Sequence, residues 1–249
     1  TISKVKIITN DNESEEVLII AHRGASNIAP PNSIKAFQKA IELKADFIEF
    51  DVHQSKDHEI VIIHDNYITN INGQKKFVKD MELNQLKAID IGEGENIPTL
   101  KELIKIAKGK IWLQCEIKAP NLSKVLVKIL IKENLTKSSI ISSFMFNELL
   151  EFQRINSDLK LALLIPPEVY SVDKLIKYCQ KAVDNNFYAV HPCYTSINKE
   201  FVKFIHDHDM LVNVWTVNIE SDIKKVLQMH VDGIISDDIQ LVKKLLNQR

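Results

Sequence analysis

Glycine is scarce in this sequence, six of 249 residues, in keeping with its Lys- and Ile-heavy bias. The glycine-rich phosphate loops are missing too. No G-x-x-x-x-G-K-[ST], G-x-G-x-x-G or G-x-S-x-G occurs, which removes the usual nucleotide-binding and serine-hydrolase signals. Cysteine is scarcer still: Cys115, Cys179 and Cys193 are odd in number, far apart and never in C-x-x-C spacing. Neither a disulfide framework nor a zinc site is suggested, and a reducing, cytoplasmic compartment is the expectation. Long apolar runs are lacking, since stretches such as Val17 to Ala21 fall far short of the roughly 20 residues a membrane span needs. There is no excess charge of one sign either. Thirty-two Lys and Arg stand against 33 Asp and Glu, spread along the chain, so no electrostatic footprint for nucleic acid exists. The opening stretch from Thr1 to Glu16 is polar, with no signal-like apolar core, and the absence of an initiator Met leaves room for trimming.

What is present is a rhythm. With 45% hydrophobic and 26% charged residues, the composition is that of an ordinary globular protein. Short β-branched runs alternate with stretches of helical apolar spacing from Val17 onward, the pattern of βαβ units and a parallel sheet. Nine strand runs are read, against eight helical runs. Helix starts and stops are marked in places: Thr99 to Glu102 has the form of a capping box, and Gly109 is the matching stop. The gap between the runs Phe47 to Val52 and Ile60 to His64 is too short for a parallel crossover. Ile60 to His64 therefore reads as an antiparallel hairpin arm turning at Ser55 to His58. The remaining eight strands close as a (β/α)8 barrel, one domain over 1–249 with a small surface insertion over 66–97.

Active sites of such barrels lie at the C-terminal strand ends. Four apolar runs end or alternate in polar residues: His22-Arg23-Gly24, Glu49 with Asp51, His64-Asp65, and Glu116 with Lys118. Side chains two apart on a strand share a face, so Glu49 joins Asp51 and Glu116 joins Lys118, while Ile48, Phe50 and Ile117 face the other layer. Three carboxylates meeting in one mouth call for a cation, and an all-oxygen donor set selects Mg2+ or Ca2+ rather than zinc. Arg23 and Lys118 beside them suit a phosphate. His22 and His64 supply groups that titrate near neutrality for acid and base catalysis. Trp215, near the end of the seventh barrel strand, is a candidate pocket wall. The histidines His53, His58, His191, His206, His208 and His230 read as packing or surface residues.

These residues resemble the glycerophosphodiester phosphodiesterase family, whose pattern opens H-R-G-A-S, then P-E-N-T. Here His22 to Ser26 matches in full. The similarity continues through Ile48 to Val52, His64-Asp65, Glu116 to Lys118, Trp215 to Asn218 and Asp232 to Asp237. The resemblance implies a TIM barrel binding one divalent cation through Glu49, Asp51 and Glu116. It implies His22 and His64 as acid and base, and Arg23 and Lys118 as phosphate ligands. The small-molecule substrate it implies is a glycerophosphodiester, cleaved to glycerol 3-phosphate and an alcohol by internal attack of the glycerol 2-hydroxyl.

Three departures stand out. Pro31 replaces the family's Glu within Pro30 to Ser33, Asn70 to Asn72 replaces Arg-Thr-Thr, and His58 replaces a turn glycine. Pro31 stiffens its loop, while Asn32 or Ser33 can cap the helix. Phospholipase-D-like action on lysophospholipids and a non-catalytic relative that keeps metal and phosphate ligands are the competing functions. A homo-oligomer is compatible with the sequence.

Overall fold

The computed structural model describes residues 16–69, 72–167 and 171–248. The opening stretch before Glu16 and the departures at Asn70 and Ile71 lie outside them. The described residues begin with β1 (Leu18–Ala21), α1 (Ile34–Glu42), β2 (Phe47–Gln54) and β3 (Ile60–Ile62). An insertion follows: β4 (Tyr67–Thr69), β5 (Lys75–Phe77), α2 (Leu83–Lys87), β6 (Asp90–Gly92) and β7 (Glu95–Asn96). Regular alternation then resumes with α3 (Leu100–Ala107), β8 (Trp112–Ile117), α4 (Ser123–Lys132), β9 (Ser139–Ser143), α5 (Phe146–Ile155) and β10 (Lys160–Ile165). The chain finishes with α6 (Val172–Asp184), β11 (Ala189–Pro192), α7 (Lys199–His206), β12 (Leu211–Val214), α8 (Glu220–Leu227), β13 (Gly233–Ser236) and α9 (Ile239–Leu246).

Eight parallel strands close into a barrel, because β13 pairs with β1 and β1 with β2. The arm β3 runs antiparallel on β2, pairing Val52 with Ile62 and Gln54 with Ile60. Its turn places His58 at φ 67°, left-handed backbone that glycine adopts most easily.

Strand alternation sorts the side chains into two layers. Ile20, Phe47, Ile140, Ala162, Ala189 and Ile235 form one apolar cluster. Ile48, Phe50 and Ile117 belong to the larger cluster shared with the helices. Helix starts follow local chemistry: Ser33 Oγ accepts from the Ala36 amide at 3.0 Å, and Thr99 and Glu102 form the expected reciprocal box. Ser33 is the cap of α1, which frees Asn32 for another task.

The insertion is more ordered than its sequence suggests. Its two small hairpins and α2 enclose a core of Val78, Met81, Leu86 and Ile97 packed on Val61 of the arm. It is also latched to the first turn of α1, where Glu95 accepts from the Lys35 amide at 3.1 Å. A Cβ at Gly92 would stand 3.3 Å from Pro30. This contact brings the insertion to the C-terminal mouth of the barrel. No helix among the described residues is long and apolar enough to cross a membrane.

Candidate active site

Parallel pairing of β2 with β8 sets Asp51 opposite Glu116 and Glu49 opposite Gln114, so the alternation read from sequence becomes one carboxylate cluster. Ligand atoms of Glu49, Asp51 and Glu116 all lie within 4.8 Å of one another. Glu49 and Asp51 are buried, 2% and 1% exposed. Burial, with the Asp51 and Glu116 charges added, holds the Glu49 carboxyl well above the usual range. Burial and Asp51 likewise push Glu116 up to about 7, against the pull of Lys118. For Asp51 burial works the same way, but Lys118, Arg23 and the Asn32 hydrogen bond outweigh it and lower its pKa. Oxygen donors this close, two of them reluctant to ionise without help, fit a hard divalent cation. The cluster is a candidate metal site.

Two cations border it. Lys118 Nζ lies 2.7 Å from Glu116 and 3.4 Å from Asp51, and Arg23 Nε lies 3.3 Å from Asp51. Arg23 reaches this place through an unusual loop. Arg23 at φ 54° and Asn32 at φ 58° both take left-handed backbone, and the Asn32 amide donates to the Arg23 carbonyl at 2.9 Å. Between them Gly24 is obligatory, since a Cβ there would stand 2.7 Å from the Ala36 backbone. The fold lets the Arg23 amide donate to Glu49 at 2.9 Å and Asn32 Nδ2 donate to Asp51 at 2.9 Å. Such local strain held by surrounding bonds is common at functional sites.

Each predicted catalytic histidine faces an aspartate. His22 Nδ1 stands 2.6 Å from Asp237, which also accepts from Ser26 at 2.8 Å and from Asn218 at 2.5 Å. Burial resists ionisation of Asp237, yet these partners, His22 foremost, hold its carboxyl down at about 2. His64 Nδ1 stands 2.7 Å from Asp65. His53, assigned from sequence to packing, is buried and its ring Nε2 lies 3.2 Å from the His64 carbonyl. Asp237, Asn218 and Asn32 escaped the sequence-based choice of site residues. The signal for Asp237 was available: closure of the barrel sets the last strand beside the first, so its polar end must meet His22.

Two clefts open here and share His64, Asp65 and Tyr67. One, about 430 Å³, is bounded by Arg23 and Pro31 and by Ile68 and Ile91 of the insertion. The other, about 360 Å³, runs from Glu116 and Lys118 past Asn66 to Phe144 and Met145. Trp215 lines neither cleft. Its Nε1 donates to the His191 carbonyl at 2.7 Å, and its ring meets Phe144 edge-on with centroids 5.8 Å apart, so it stands behind a cleft wall.

Comparison with known proteins shows the family. A glycerophosphodiester phosphodiesterase of Caldanaerobacter subterraneus subsp. tengcongensis is 35% identical over 92% of this chain and 99% of that protein. One from Bacillus subtilis is 26% identical over 93% of the chain and 87% of that protein. The crystal structure of a glycerophosphodiester phosphodiesterase from Parabacteroides distasonis superposes with a TM-score of 0.81 at 27% identity, covering 95% of this chain and 99% of the other. Residues 22–241 match the model of the glycerophosphoryl diester phosphodiesterase family, and the chain belongs to that family.

Proposed function

We propose that this chain, as a single phosphodiesterase domain with 66–97 as its insertion, hydrolyses glycerophosphodiesters to glycerol 3-phosphate and an alcohol. One observation carries the reading: a carboxylate trio within 4.8 Å stands between two cations, beside two histidines that each turn Nδ1 to an aspartate.

Glu49, Asp51 and Glu116 would hold Mg2+ or Ca2+, which supplies positive charge opposite the negative charge developing on the phosphoryl oxygens. Arg23 and Lys118 bind the phosphate from the flanks. With Nδ1 engaged, His22 and His64 each present Nε2 to the reaction. One removes the proton of the attacking glycerol 2-hydroxyl, and the other protonates the departing alcohol oxygen. The cyclic phosphate so formed is opened by water with the two roles exchanged. Asp237 orients the His22 ring through Nδ1, as an aspartate does in other histidine-dependent sites. Trp215 acts through Phe144 as a backing for the cleft wall rather than by contact. Pro31 leaves this machinery whole, because Asn32 still fastens the loop to Asp51. The three cysteines are unpaired, in keeping with a cytoplasmic setting.

The test is glycerol 3-phosphate release by folded protein supplied with Mg2+ or Ca2+ and a panel of glycerophosphodiesters. Release from at least one is expected, and release from none would reject the function.

A further inference from the structure

We infer that Asn218 is a positioning residue of the reaction: its side-chain amide decides which oxygen of Asp237 faces His22, and so which ring nitrogen His22 presents to the substrate. The inference rests on the phosphodiesterase reading and adds to it a residue that acts through Asp237.

A carboxylate has two equivalent oxygens on a turning bond, so a histidine beside it is not oriented until one oxygen is fixed. Asn218 Nδ2 donates to Asp237 Oδ2 at 2.5 Å. Asn218 Oδ1 accepts from the Asp237 amide at 2.9 Å and from Ser236 Oγ at 3.0 Å. The two ends of one side-chain amide therefore grip Asp237 by its backbone and by its carboxylate. This amide cannot be turned over, since Nδ2 would then face the Asp237 N–H. Asp237 Oδ1 is left toward His22 Nδ1 at 2.6 Å and Ser26 Oγ at 2.8 Å. With its carboxyl held at about 2, Asp237 only accepts. The neutral His22 ring therefore carries its proton on Nδ1 and keeps the Nε2 lone pair for the reaction.

Asn218 is itself held from behind. Past β12 the Trp215 amide donates to the Pro192 carbonyl at 3.2 Å and the Val217 amide to the Ile235 carbonyl at 3.0 Å, which lays this segment between β11 and β13. Trp215 Nε1 adds its bond to the His191 carbonyl. The Asn218 side chain is exposed, where hydrogen bonds exchange with water and contribute little net stability. Stapling the loop would need only the bonds from Ser236 and the Asp237 amide. The third bond, to the Asp237 carboxylate, serves the histidine.

The experiment measures kcat and KM, on the glycerophosphodiester that wild type cleaves fastest, for Asn218→Asp and Asn218→Ala, each alone and combined with Asp237→Asn. Asn218→Asp keeps the shape and the Oδ1 acceptor but loses the donor, and Asn218→Ala loses the donor without adding charge. If one fails to fold, the other carries the test. Each alone should lower kcat about tenfold, with KM within about threefold of wild type and a melting temperature near it. In the Asp237→Asn background neither should cost more than about threefold further, because the carboxylate through which Asn218 acts is already gone. A second readout needs no turnover: ring-nitrogen NMR shifts of neutral His22 should show the Nδ1–H tautomer in wild type, with the Nε2–H form gaining in both Asn218 variants. Wild-type kcat in the folded single variants, losses that multiply in the double variants, or an unmoved tautomer would each overturn the inference and leave the phosphodiesterase standing. No glycerol 3-phosphate from wild type with any ester of the panel would reject the phosphodiesterase, and the tautomer would still decide the role of Asn218.

Discussion

His22 and His64 each hold an aspartate at nearly the same distance, 2.6 and 2.7 Å, but the two pairs are built differently. His22 follows β1 and Asp237 follows β13, 215 residues away in sequence and joined by closure of the barrel. Asp237 is further fixed by Ser26 and Asn218, and the His22 side chain is 20% exposed. His64 and Asp65 are neighbours in the chain beyond the hairpin arm, with side chains 41% and 59% exposed. A hydrogen-bond length therefore says little about function until the scaffold behind it is counted. The barrel pair is preorganised, and the arm pair is close to solvent-screened.

Removing either imidazole is the hardest blow to this comparison. His22→Ala and His64→Ala should each lower kcat by at least about a hundredfold, with metal content and thermal melting near wild type. Either variant keeping most of its turnover would remove that histidine from proton transfer. Cutting the carboxylates separates the pairs more finely. Asp237→Asn should cost about ten- to a hundredfold in kcat, because His22 loses the anionic partner that fixes its ring. Asp65→Asn should cost about threefold or less. Equal losses in the two would erase the distinction.

The smallest effect is on stability in acid. The Asp237 carboxyl is held at about 2 in the fold, against roughly 3.9 in an unfolded chain. As pH falls the unfolded chain takes up that proton first, so the stabilisation is complete above about pH 4 and disappears as pH approaches 2. Thermal melts across this window should fall less steeply in Asp237→Asn than in wild type.

Most of the barrel was legible because each strand and helix carries its own period, and because the seven residues between Val52 and Ile60 cannot make a parallel crossover. The carboxylates were legible for the same reason, since alternation on β2 and β8 needs no long-range knowledge. What escaped lies where distant segments meet. Asp237 is polar at a strand end like several others, and only pairing of β13 with β1 makes it the partner of His22. Asn32 precedes a helix, where a capping role is the natural expectation, but its left-handed backbone turns it toward Asp51 and leaves capping to Ser33. The insertion was harder still. Its strands are two or three residues long, too short for periodicity to show, and their order comes from the small core around Leu86 and Ile97.

The central claim is that the carboxylate trio holds a divalent cation on which phosphodiester cleavage depends. Its most direct measurement pairs elemental analysis with glycerol 3-phosphate release, before chelation, after chelation and after return of Mg2+ or Ca2+. The expected result is loss of activity with the metal and recovery on its return, with Asp51→Asn neither retaining metal nor recovering activity. Metal-free protein turning over at the untreated rate would contradict the account.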